Sequence, residues 1–80
     1  MMIGFGETTP RCSASGCTSD AAWAVNWRNP RIHGLERVKI WLACDEHREH
    51  LSGYLATRGF PVVVTASDVS VELVPDGAVP

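Results

Sequence analysis

The sequence predicts a small α+β domain stapled by a bound metal, and three observations carry that expectation. The chain has 80 residues, too few for more than one domain, and a core of that size supplies only about 3–5 kcal/mol on its own. It holds 3 cysteines, an odd number that disulfides within the chain cannot use up. The stretch Trp41-Leu42-Ala43-Cys44-Asp45-Glu46-His47 runs from an alternating apolar segment through Cys-x-x-His into a helical pattern, which reads as half of a metal site. The residues around Cys12 and Cys17 would supply the other half.

The elements follow in chain order. Residues 1–10 show no periodicity and contain two glycines, two threonines and a proline, the composition of a flexible leader. From Arg11 to Asp20 the chain is dense in small turn-formers around Cys12 and Cys17. That suits a knuckle, in which the backbone turns sharply so that two sulfurs face one ion, and Gly16 would relieve the tightest position. Over Ala21–Arg28, Trp23, Val25 and Trp27 alternate with Ala22, Ala24 and Asn26, the period of a strand. Asn29-Pro30 ends that strand, and a long loop leads to a second one over Arg37–Cys44, so the two form a hairpin. All three tryptophans lie within it.

A helix is expected over residues 45–58. Asp45 is a suitable N-cap, Glu46 sits where a negative charge favours the helix dipole, and His47, Leu51, Tyr54, Leu55 and Arg58 share one face. Gly59 and Pro61 mark its end. Gly53 inside it costs about 1 kcal/mol relative to alanine, with no reason visible in the sequence. Beyond the helix, Val62–Thr65 and Val69–Val74 read as a β-arm over residues 61–74, either a hairpin or two separate strands. An isolated pair of strands is marginal in water, so the arm is expected to pair with an edge of the first hairpin, or else with a second copy or another protein. Residues 75–80 read as a disordered tail.

Knuckle, hairpin and helix place Cys12, Cys17, Cys44 and His47 as ligands of one structural zinc within a domain spanning residues 11–60. This is the order of a treble-clef zinc finger; a zinc ribbon, with a second knuckle where the helix begins, is the alternative. His33 and His50 are the other imidazoles that could ligate. Glu46 and Glu49 could serve as a base beside a catalytic zinc, but four good ligands leave no open position for substrate.

The words Cys-Ser-Ala-Ser-Gly-Cys, Trp27-Arg28-Asn29-Pro30-Arg31-Ile32-His33, Trp41 to His47 and Leu55-Ala56-Thr57-Arg58-Gly59-Phe60 resemble a family of small actinobacterial Cys3His zinc-site proteins of unknown function, which often carry the label acetone carboxylase. The resemblance covers about residues 11–60 and implies a bacterial cytosolic zinc-site domain. Ketone carboxylation driven by ATP would need a phosphate-binding loop, and the sequence contains no G-x-x-x-x-G-K-[ST].

Composition narrows the function further. Free thiols and the lack of a secretory-signal pattern point to the reducing cytoplasm, and no apolar run approaches the roughly 20 residues of a membrane span. Net charge is −2. Residues 11–60 hold seven Arg and Lys against five Asp and Glu, a mild +2, without the strong basic footprint of a nucleic-acid coat. The expected function is a protein-interaction or accessory module without catalysis of its own, its partner another protein or a second copy bound through the C-terminal arm. The alternative is a nucleic-acid-binding finger using Arg28, Arg31, Arg37, Lys39 and Arg48, which requires those side chains to share one face with an exposed aromatic.

Overall fold

A computed structural model describes residues 10–80. Its elements are β1 (Trp23–Trp27), β2 (Lys39–Ala43), α1 (Arg48–Thr57) and β3 (Val62–Ala66). The strands form one antiparallel sheet in the order β2-β1-β3. The expected hairpin is present, and the first run of the C-terminal arm pairs with the free edge of β1, placing Val25 opposite both Trp41 and Val64. The sheet packs one face on the helix. Val25, Ala43 and Val62 meet Leu51 and Leu55 there, with Cys12 and Cys44 at one end and Trp23, Trp27, Trp41 and Phe60 around the rim.

Alternation along β2 gives it two faces, Ile40 and Leu42 on one and Lys39, Trp41 and Ala43 on the other. Val38, Ile40 and Leu42 are the more aliphatic set, yet Trp41 and Ala43 face the helix, and Ile40 is 53% exposed. The register decides this. Trp41 stands opposite Val25 and Ala43 opposite Trp23, so they must share the face of those residues.

The helix is shorter than the expected 45–58. Residues 45–47 form a turn in which the N–H groups of His47 and Arg48 both reach the Cys44 carbonyl, and His47 occupies the N-cap without a side-chain cap. Asp45 does not cap. Its carboxylate accepts the Trp23 indole N–H at 2.6 Å instead; because the helix begins at Arg48, the acid of its first turn is Glu49 rather than Glu46. Leu51, Ser52 and Leu55 are buried, whereas Tyr54 lies at the boundary, stacked on Trp41, with the Arg58 guanidinium over its ring. At the far end Gly59 adopts φ +82°. Its N–H bonds to the Ala56 carbonyl, and the N–H of Phe60 bonds to that of Leu55, the paired closure that a left-handed residue after a helix permits.

The second expected run of the arm, Val69–Val74, is not a strand. After a tight turn closed by the Val69 N–H on the Ala66 carbonyl, the chain passes over the sheet face opposite the helix. Val74 is fully buried there, while Val69 and Leu73 remain exposed. The Val74 carbonyl accepts from Arg28 Nε rather than from a neighbouring strand. On the outer edge of β3, the N–H of Val62 bonds to the Ala78 carbonyl. Ala24 and Asn26 are buried on the face of β1 that lacks a helix, and Arg28, just past its end, is buried beside Val74. Asn26 donates from its amide to the Val63 carbonyl and to Thr65 Oγ1, and Arg28 pairs with Asp76. Residues 75–80, expected to be disordered, include Asp76 and Ala78, which bond to the rest of the fold, and Pro75, whose carbonyl accepts the Ala78 N–H. Of the expected leader, residues 1–9 lie outside the described residues, and the Pro10 carbonyl accepts the Ala21 N–H.

Candidate metal centre

Two short turns build the site. In the first, Arg11 and Asp20 bridge the arms of a loop, the Cys12 N–H bonds to the Ser19 carbonyl, and the Cys17 N–H bonds to that of Ala14. Gly16 takes φ +78° at the tip, where a side chain would be strained. Ser13 fixes this knuckle to the sheet: its N–H bonds to the Leu42 carbonyl and its hydroxyl accepts the Leu42 N–H. Cys12 is thereby held over the end of β2, beside Cys44. The second turn, residues 45–47, carries His47 back over Cys44.

The result is a four-donor cluster. The donor atoms of Cys12, Cys17, Cys44 and His47 all lie within 4.8 Å of one another, close enough to hold a metal ion. Sγ of Cys17 and Sγ of Cys44 are 3.9 Å apart, and His47 Nδ1 is 3.3 Å from Cys44 Sγ and 3.6 Å from Cys12 Sγ. Metal–sulfur bonds of about 2.3 Å and metal–nitrogen bonds of about 2.0–2.1 Å at tetrahedral angles would set sulfurs about 3.8 Å apart and sulfur to nitrogen about 3.6 Å. These three separations are near those values, the four donors are close enough to hold a metal ion, and all three cysteines are free thiols.

Backbone groups prepare the thiols for this. The Ala14 N–H points at Cys12 Sγ at 3.5 Å. The Ser19 N–H, and after it the Ser19 hydroxyl, hold the Cys17 thiol down to about 7. Burial pushes the Cys44 thiol up, against the N–H groups of His47 and Glu46, which favour the thiolate. A cation among the sulfurs would offset that burial and draw off the remaining protons. The amides that prepare Cys12 and Cys17 left no signal in the sequence beyond a general excess of turn-formers.

The other candidates lie elsewhere. His50 is exposed, with its ring 6.3 Å from that of His47, and is not among the four donors. His33 sits in the β1–β2 loop, where Nδ1 accepts the Asn29 N–H and the ring meets the edge of Trp27. Glu46 and Glu49 are exposed and also outside the donor group. The five basic residues do not form one surface. Arg28 is 3% exposed and tied to Val74 and Asp76, and Arg48 lies over the Trp23 ring at 4.4 Å. Among the described residues no helix is long and apolar enough to cross a membrane. No known protein family, curated protein or solved structure matches the chain.

Proposed function

We propose that Cys12, Cys17, Cys44 and His47 bind one structural zinc ion in a treble-clef-like arrangement, and that the protein is a small cytoplasmic interaction or accessory module without catalysis of its own. The observation that carries this is the four-donor cluster, with its donor atoms within 4.8 Å of one another and two of its three sulfurs buried. Three thiolates and one imidazole suit zinc better than the hard cations, which prefer oxygen. Four protein donors complete the coordination shell, so the metal acts as a staple. A helix, not a second knuckle, follows the second ligand pair, which favours the treble-clef reading over a ribbon.

The burial of Arg28 weakens the nucleic-acid reading, because it removes one of five cations and turns it toward the tail. The test pairs metal removal with spectroscopy. Chelation of the purified, reduced protein is expected to collapse amide dispersion across residues 11–60, and Cys44→Ser to abolish tight zinc binding. Native-like spectra without metal, or unchanged affinity in Cys44→Ser, would overturn the structural role.

A further inference from the structure

The β1–β2 loop is ordered and yet leaves its aliphatic side chains in solvent. Ile32 is 74% and Leu35 50% exposed. The backbone that carries them is closed by its own hydrogen bonds. The Asn29 carbonyl accepts the N–H groups of both Ile32 and His33, Asn29 Oδ1 accepts the Arg31 N–H, and the Arg37 N–H bonds to the Gly34 carbonyl. Through His33 the loop is braced on Trp27 and thus on the core. A loop that is already ordered loses little freedom when a partner binds.

Its charge is also distinctive. Arg31, Arg37 and Lys39 make no ion pair among the described residues, and desolvation, followed by the positive charges of Arg37, Lys39 and Arg28, holds the His33 imidazole below its usual range. The acid of the loop, Glu36, folds over Gly34, where an added Cβ would come within 2.9 Å of its carboxylate. Three cations less Glu36 leave the loop and the first residue of β2, residues 31–39, at +2, while the whole chain carries −2, so the remainder carries −4. A polyanion such as nucleic acid, or a broad anionic membrane surface, would meet that negative remainder. A short segment with a few acids would meet only residues 31–39.

We propose that this loop is the docking surface of the module, and that its partner is an acidic, amphipathic peptide segment of another protein, whose apolar side chains cover Ile32 and Leu35 and whose carboxylates meet Arg31, Arg37 and Lys39. This rests on the interaction role proposed above and gives it a site and a partner chemistry. The aliphatic pair supplies affinity and the cations supply orientation and rate of encounter.

The test uses the full-length, zinc-loaded protein to select from a display library of random 16-residue peptides, with the Ile32→Ser, Leu35→Ser double variant as counter-selection. Both positions are exposed, so the variant is expected to keep the amide spectrum of the parent. Enriched peptides should combine apolar residues with Asp or Glu, shift amide resonances of residues 29–39, and bind the double variant at least roughly tenfold more weakly. Arg31→Ala and Arg37→Ala should weaken binding and flatten its salt dependence. Peptides that bind parent and double variant alike would overturn the loop as the site while keeping the interaction role. Failure to enrich any peptide, or tighter binding of an oligonucleotide or of phosphatidylserine vesicles through residues 29–39, would overturn the proposed partner.

Discussion

Leu55→Ala is expected to weaken zinc binding although Leu55 is not a ligand. It is 1% exposed and packs in the same cluster as Val25, Ala43 and Val62. It stands eight residues beyond His47, about 12 Å along a helix axis, so its truncation leaves the donor set chemically intact. Removing such a side chain costs about 2–5 kcal/mol, comparable to the roughly 3–5 kcal/mol that a core of this size provides. If the metal-free chain is unfolded, metal binding and folding are one equilibrium and the whole cost appears in the apparent zinc Kd. At about 1.4 kcal/mol per tenfold, the loss is roughly 30-fold to several thousand-fold. The assay is competition against a chelator of known affinity, followed by tryptophan fluorescence. An unchanged zinc Kd in Leu55→Ala would refute the coupling, because it would mean that the donor cluster is preformed in a chain that folds without metal.

Further outcomes follow from single positions. Gly53→Ala should stabilise the metal-loaded protein by about 0.5–1 kcal/mol in thermal denaturation, since a Cβ there meets nothing within 4 Å and the helix interior favours alanine. Gly59→Ala should destabilise it by about 1 kcal/mol, because that position holds φ +82°. Asp76→Ala should speed amide exchange at Val62 in hydrogen-exchange measurements, as Arg28 loses the partner that holds the segment leading to Ala78. His33 is held below its usual 6.5 by desolvation and then by Arg37, Lys39 and Arg28, and its neutral Nδ1 accepts the Asn29 N–H. The unfolded chain therefore takes up the proton first. The stability that His33 contributes is full above pH 6.5 and is lost as pH falls through its lower folded value. A His33 titration at or above 6.5 by NMR would contradict this placement.

The elements that were legible in the sequence are those set by local patterns. The alternation around Trp23, Val25 and Trp27 marked β1, Gly59-Phe60-Pro61 marked the helix end, and Cys-x-x-His together with the cysteines of a turn-rich loop marked the four donors that the fold brings together. What was not legible depends on tertiary competition. Asp45 had the chemistry of a cap, but the Trp23 indole takes its carboxylate. Arg28 looked like a surface cation until Val74 and Asp76 enclosed it. Val69–Val74 alternates like a strand, yet Val74 is buried against the sheet face opposite the helix, a placement that periodicity along the segment cannot reveal.

The most direct measurement of the central claim is X-ray absorption at the zinc edge, combined with elemental analysis, on protein purified under reducing conditions without chelator. The expected result is one zinc per chain with three sulfur neighbours at about 2.3 Å and one nitrogen at about 2.0–2.1 Å, and loss of the nitrogen contribution in His47→Ala. A protein without stoichiometric metal, or a shell dominated by oxygen and unaffected by substitution at Cys12, Cys17, Cys44 or His47, would contradict it.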